Sequence, residues 1–339
     1  MAEAGSGGVS ALTDSGIWTT LVNANVWQGT LRESTPLALA AIGGVISERS
    51  GVVNIAMEGM MLTGAFFAVL FDVLFQNAAL GLLGGMLTGA FMALILAYGA
   101  IRLKANQIVM GMAINLIALG LTSYLLVSRF GNDSTPPACV PPIPCAKGQL
   151  FTIPNWSIPG LSNLPALGQI VFQQNPIVYL MLLLVLLTHV FLFRTTLGLR
   201  IRAVGEKPRA ADTAGINVQA LRYLAVVLSG LLSGLAGGYL SLAVAYNFSD
   251  NMTSGRGFIA LAAMIFGKWT PFGAFGACVL FGLGQAVYAQ LQNTSGPLQD
   301  YSTLVSALPY LLTIVALAGF IGRATPPAAD GLPYDPAAG

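Results

Sequence analysis

The chain has 339 residues, 55% hydrophobic and only 8% charged, where soluble globular proteins carry about 25% charged residues. So little charge, together with 40 glycines, fits one domain of apolar helices packed closely in lipid rather than a pair of soluble domains. The net charge of +2 is too small to suggest nucleic-acid binding.

The N-terminal tail, residues 1–24, opens MAEAGSGGVSALTDSG, which lacks the basic start and apolar block of a secretory signal. Residues 16–29 are mixed in polarity and read as an interfacial helix. A polytopic, all-α membrane domain follows over 25–323, with segments near the ~20 residues that cross a bilayer. They fall at 30–46, 55–75, 80–100, 107–128, 177–193, 221–244, 257–291 and 303–321. The seventh is too long for one span and breaks at Gly267-Lys268-Trp269-Thr270-Pro271 into 257–266 and 272–291, which makes eight or nine transmembrane helices. Residues 129–174, rich in Pro, Ser and Asn, form the one long loop, and 324–339 a C-terminal tail.

Lysine and arginine set the orientation. With the N-terminus outside, Arg49, Arg102, Lys104, Arg194, Arg200, Arg202, Lys207, Arg209, Arg222, Lys268 and Arg323 fall on the cytoplasmic side. Arg32, Arg129, Lys147 and Arg256 fall outside, provided that the seventh segment dips inward and returns. Loop 129–174 is then external, loop 194–220 cytoplasmic, and so is the C-terminus. Small residues spaced by four form ridges: Gly81, Gly85 and Gly89; Ser229, Ser233 and Gly237; Gly230, Gly234 and Gly238. Such ridges let helix backbones approach closely, within one chain or across a dimer seam.

The cytoplasmic loop contains GEKPRAADTAG, Gly205–Gly215. Pro208 suits a first helical position and Gly215 the position just past a helix end. Between them lie Arg209, Ala210, Ala211, Asp212, Thr213 and Ala214, of which alanine favours helix strongly. A two-turn helix isolated between spans is marginal alone, so something should hold it. It reads either as a solvated connector or as a docking knob for a cytoplasmic partner, with Glu206 and Lys207 at its start.

The stretch LGLRIRAVGEKPRAADTAGINV resembles the coupling loop of ABC-importer permeases of the branch that carries nucleosides, simple sugars and branched-chain amino acids. TPLALAAIGGVISERSGVVNIAMEGMMLTGAFFA (35–68), KANQIVMGMAINLIALGLTSYL (104–125) and GRGFIALAAMIFGKWTPFGA (255–274) resemble the nucleoside-type members. The resemblance spreads over most of 35–321. It implies a bacterial inner-membrane subunit that pairs with a second permease chain, as a heterodimer, and offers 206–214 as a coupling helix to a cytoplasmic ABC ATPase. An extracytoplasmic solute-binding lipoprotein would deliver the small-molecule substrate. ATP and Mg would bind the ATPase, leaving this chain without catalytic residues or cofactor.

The residues fit that division of labour. No G-x-x-x-x-G-K-[ST] phosphate loop is present. The single histidine, His189, cannot form a ligand cluster, and no His, Cys or carboxylate group has zinc-like spacing. Polar residues inside apolar segments are the substrate-pathway candidates. Glu58 in NIAMEGMM either meets a substrate hydroxyl or base N–H, or pins the broken first helical region, with Asn54 one turn before it. Asn115 and Gln285 offer amide donors and acceptors suited to nucleobases and ribose, or to interhelix bonds. Tyr246 and Phe258 could stack on a base, or serve as interfacial aromatics. The two interrupted segments, 37–59 and 258–282, point to a pathway between them. Cys139 and Cys145 flank VPPIP in the outer loop, where a disulfide and two separate thiols are both open. The sequence favours an ATP-driven nucleoside importer; the alternatives are a ribose-like sugar permease of the same kind and a gradient-driven secondary transporter.

Overall fold

The computed structural model describes residues 24–131, 135, 138–139, 149–157, 167–292 and 324–335. Its helices are α1 (Ala24–Arg49), α2 (Met57–Phe75), α3 (Ala78–Ala97), α4 (Gln107–Phe130), α5 (Leu167–Phe172), α6 (Pro176–Arg194) and α7 (Thr196–Glu206). They continue as α8 (Pro208–Thr213), α9 (Val218–Tyr239), α10 (Arg256–Phe266) and α11 (Pro271–Gln292). π-helical turns extend α3 through Tyr98–Arg102 and α9 through Leu240–Val244. The two-residue strand β1 (Ala138–Cys139) pairs in parallel with β2 (Leu150–Phe151), and β3 (Trp156–Ser157) antiparallel with β4 (Gln173–Gln174). Among the described residues, six helical stretches are long and apolar enough to cross a bilayer: α2, α3 with its π turn, α4, α6, α9 with its π turn, and most of α11. The chain is a polytopic helical membrane protein.

Most predicted spans coincide with these helices, and the seventh breaks where expected, between Phe266 and Pro271. Two expectations need correction. Residues 24–29 are not a separate interfacial helix but the first turns of α1, which continues through Pro36 to Arg49. Just beyond that stretch, hydroxyls of α1 are satisfied within the helix: Thr30 Oγ1 donates to the Val26 carbonyl at 2.7 Å, and Ser34 Oγ to the Thr30 carbonyl at 2.5 Å. Nor is the short helix in 194–220 isolated, because α7 occupies 196–206 and leads directly into α8. Thr195 starts α7 by accepting from Gly198 N–H at 3.1 Å, a hydroxyl cap hidden in a basic stretch. Residues 16–23 and the expected span 303–321 lie outside the described residues.

The chain divides into two compact units. The smaller comprises 1–34, 155–174 and 279–321. There Gln28 Nε2 donates to the Gln173 carbonyl at 2.9 Å, and Gln174 Nε2 to Gln28 at 3.2 Å, fixing α1 beside the β3–β4 pair.

The larger unit comprises 35–154, 175–278 and 322–339, with α2, α3 and α9 packed on one another at its centre. The glycine ridges make that contact. A β-carbon on Gly234 of α9 would overlap the Gly85 carbonyl of α3, and one on Gly85 would meet the Gly64 carbonyl of α2. The ridge Gly230–Gly234 thus faces α3, while Gly237 on the adjacent ridge faces α2 at Met61. Both ridges are spent on contacts inside the chain, where van der Waals packing replaces hydrophobic burial. Gly234→Val should overpack this seam at a cost of about 1–3 kcal/mol. It should lower Tm in detergent by several degrees. Gly120→Val, whose added carbon meets nothing within 4 Å, should not; an equal loss in both would contradict the assignment.

Candidate functional site

The helix α1 stops at a turn, where Gly51 has φ +88°, and residues 52–54 run without helical bonds toward α2. Backbone groups freed there need partners, and side chains from other helices supply them. Gln107 Oε1 accepts from Val53 N–H at 2.7 Å. Asn115 Nδ2 donates to the Ile55 carbonyl at 3.0 Å, while its Oδ1 accepts from Gly59 N–H at 2.8 Å. Asn115 therefore spends both ends of its amide on the start of α2. Asn54 is fully buried; its Nδ2 donates to Ser229 Oγ at 2.8 Å, and its Oδ1 has no partner among the described residues.

Glu58, only 7% exposed, stands at the first turn of α2 and reaches the start of α10. Its Oε1 accepts from Thr253 Oγ1 at 2.6 Å and Gly255 N–H at 2.8 Å, and its Oε2 from Gly257 N–H at 2.6 Å. Helix N-termini leave N–H groups unpaired and carry partial positive charge, so a carboxylate there is doubly favoured. At 1.5 Å per residue, the 11 residues of α10 cover about 16 Å, roughly half the hydrocarbon core. The far end of α10 is fastened too. Trp269 Nε1 donates to Glu48 Oε2 at 2.6 Å, and Arg49 Nε donates to the Trp269 carbonyl at 2.9 Å. The first interrupted segment, 37–59, is thus bonded to both ends of α10.

At the end of the larger unit marked by Arg49, α7, α8 and the start of α9 form a second cluster. Gly205 packs on the Arg49 carbonyl so closely that a β-carbon would overlap it. Arg49 and Arg202 both lie over the Phe193 ring, 5.8 and 4.9 Å from its centre. The helix α8 begins with Pro208, ends before Ala214, and is followed by Gly215 at φ +78°, as the sequence predicts. Glu206 belongs to α7 instead, so the expected coupling stretch 206–214 straddles a helix–helix corner at Lys207. Ala211 is the buried side chain of α8 and joins Val204, Val218, Ile216, Leu221 and Tyr334 in a small apolar cluster. Lys207, Arg209, Ala210, Asp212 and Thr213 are exposed.

Residues 324–335 lie across this cluster. Ala329 N–H donates to the Gly205 carbonyl at 2.9 Å, and Tyr334 OH to Asp212 Oδ2 at 2.7 Å. Arg222, 2% exposed at the start of α9, donates through Nε to the Ser50 carbonyl and through Nη1 to the Leu332 carbonyl. The Asp330 carboxyl is hydrogen-bonded to Glu48. Burial pushes Asp330 from 3.8 up to about 7, against the lowering pull of its bonds with Glu48 and Gly331 N–H and of the Arg222 charge. Docked against Glu48, the segment therefore shares in a proton that a released Asp330 carboxyl loses as pH rises above 3.8. Docking is strongest at low pH, weakens as pH rises from 3.8 toward about 7, and levels off above it. Proteolysis within 324–335 should be faster at pH 8 than at pH 6, and Asp330→Asn should flatten the difference; a flat wild-type profile would contradict this.

The remaining candidates are not all brought together. Tyr246, at φ +55°, and Phe258 on α10 are both more than a third exposed. Gln285 belongs to the smaller unit, and its Oε1 has no partner among the described residues. His189 stacks between Phe193 and Phe272, with ring centroids 5.0 and 4.5 Å away. Among the described residues no group of three or more His, Cys, Asp or Glu could hold a metal. Cys139 lies in β1, while Cys145 is outside the described residues. Sequence reasoning assigned no role to Glu48, Trp269 or the 324–335 segment. The signal available was Glu48 in SERSG and Trp269 in GKW, a carboxylate and an indole each beside a break.

The family described as "Branched-chain amino acid transport system / permease component" matches residues 27–317. The chain belongs to this family of transport permeases. It is 44% identical over 316 residues to the guanosine ABC transporter permease protein NupQ of Bacillus subtilis, covering 90% of this chain and 94% of that one. It is 40% identical over 311 residues to the nucleoside ABC transporter permease protein NupC of Lactococcus lactis, covering 89% and 93%. The putative glucose ABC transporter permease protein TsgC13 of Haloferax volcanii is 35% identical over 314 residues, covering 87% and 91%. No solved structure matches this permease.

Proposed function

We propose that this chain is the transmembrane subunit of an ATP-driven importer of nucleosides. The observation that carries the reading is its identity of 40% and more, along nine-tenths of its length, to permeases named for guanosine and nucleosides. The largely exposed helix α8, held against α7 and α9 with Lys207 just before it, supports docking of a separate ABC ATPase at 205–215. That ATPase binds ATP and Mg, and this chain contributes movement rather than hydrolysis. A second permease chain completes the pathway as a heterodimer, and a solute-binding lipoprotein supplies the outer mouth. The chain lies in the bacterial inner membrane with its N-terminus outside. Arg49, Lys207, Arg209, Arg222 and the 324–335 segment face the cytoplasm, consistent with their clustering at one end of the larger unit.

Closure of the ATPase pushes α8, and the push reaches α1 through the Gly205–Arg49 contact. Arg49 and Glu48 hold Trp269, so α10 moves with α1, and Glu58 carries the motion to α2. Of the polar candidates, Asn115 and Glu58 act as fasteners. A sugar substrate is the second reading, favoured by the 35% identity to a putative glucose permease.

Uptake by proteoliposomes containing the full transporter, measured across purine and pyrimidine nucleosides, ribose and glucose, tests the substrate. Nucleosides should accumulate and compete with one another. Uptake of ribose or glucose with every nucleoside excluded would replace this reading with the sugar one.

A further inference from the structure

The segment 324–335 lies beyond residues 27–317, where the family match ends, yet it is fastened to the surface that carries α8. Its backbone is held by Gly205 and Arg222, its Tyr334 by Asp212, and its Asp335 carboxylate pairs with Lys104 at 2.6 Å. Ala328 N–H adds a bond to Glu206 Oε2 at 3.3 Å. Within this fastened stretch Leu332 is 58% exposed, and Pro333 beside it is exposed as well. An apolar side chain held outward on an anchored backbone is not explained by burial. Between it and α8 lies a groove of about 500 Å³, with Lys207 and Arg209 on one wall and Leu332, Pro333 and Tyr334 on the other.

We propose that the 324–335 segment is one wall of the ATPase-docking surface, and that the groove takes an acidic segment of the ATPase bearing an apolar side chain. This rests on the docking reading of 205–215, with which the groove is continuous through Lys207 and Arg209. The charges select the occupant: Lys207 and Arg209 favour an acidic partner, while Asp335 is engaged by Lys104. Leu332 and Pro333 supply the water-excluding apolar contact at the centre of such an interface. The segment also braces α8 through Tyr334, so the knob and its flank meet the partner as one rigid surface.

The test uses the intact transporter in nanodiscs and the ATPase that supports uptake on co-expression. Leu332→Glu places a like charge before an acidic partner without touching any of the fastening bonds. Its affinity for the ATPase should fall at least tenfold, as it should for Ala211→Pro. Normal affinity in Leu332→Glu with loss in Ala211→Pro would overturn the groove proposal and leave docking at α8 standing. Normal affinity in both would overturn both readings. Should Leu332→Glu fail to insert, a benzophenone amino acid in place of Leu332 decides the matter in the assembled complex. A photo-adduct with the ATPase supports the proposal. An adduct with residues 336–339, with a second copy of this chain, or with lipid alone overturns it.

Discussion

Ala211→Pro should abolish ATP-driven uptake while leaving the permease inserted in the membrane. In α8 the Ala211 N–H bonds the Lys207 carbonyl at 3.1 Å, and its methyl group lies in the cluster with Val204 and Val218. Proline removes that donor, and its ring collides with the preceding turn, a cost of about 3 kcal/mol. A helix of six residues cannot absorb such a loss, because isolated short helices are already marginal. The spans on either side are untouched, so membrane yield should stay normal while the ATPase no longer co-purifies. Arg209→Glu preserves the helix and reverses charge at the exposed face, and should give a smaller loss of the same kind. Full uptake with undiminished ATPase retention in both variants would make 205–215 a solvated connector.

Glu58→Ala should reduce uptake at least tenfold by releasing the start of α10. Three hydrogen bonds end on this carboxylate, and each bond to a charged group contributes about 1.5–3 kcal/mol. Their removal leaves the Gly255 and Gly257 N–H groups unpaired at a buried helix start, where unmet donors are costly. Glu58→Gln keeps the shape but turns an amide donor toward the Gly257 N–H, so an intermediate loss is expected. The clamp and a substrate-binding role separate in the readout. A clamp lowers Tm together with maximal uptake rate, whereas a substrate ligand raises KM with Tm unchanged. Wild-type Tm and rate in Glu58→Ala would show that α10 needs no fastening there.

The local chemistry of the helix ends was the most legible part of the sequence. Pro208 and Gly215 bounded α8 because each suits one terminus of a helix, and Pro271 marked the restart after the broken segment. The glycine ridges were readable as ridges, but a spacing of four carries no address; only the fold places Gly234 against Gly85 rather than against another chain. Polarity misled at residues 24–29, where Asn25 and Gln28 break the apolar run and yet the helix runs on unbroken to Arg49. Among the candidate residues, Asn115 and Glu58 were singled out because polar groups inside apolar segments need partners. Sequence could not show that their partners are backbone groups of other segments, 60 and nearly 200 residues away. The 324–335 segment was passed over as a tail because its Pro, Ala and Gly content carries no periodicity. Half of its attachments run through main-chain atoms of Ala328, Ala329 and Leu332, which leave no trace in residue type.

The central claim is that ATP hydrolysed on a separate subunit drives nucleosides through this permease. Accumulation of radiolabelled guanosine in proteoliposomes carrying the complete transporter tests it most directly. Three conditions are compared: ATP with Mg on the ATPase side, a non-hydrolysable ATP analogue, and a proton or sodium gradient without nucleotide. The account predicts accumulation with hydrolysable ATP alone, and none with the analogue or the gradients. Guanosine accumulation driven by an ion gradient in the absence of ATP would contradict it.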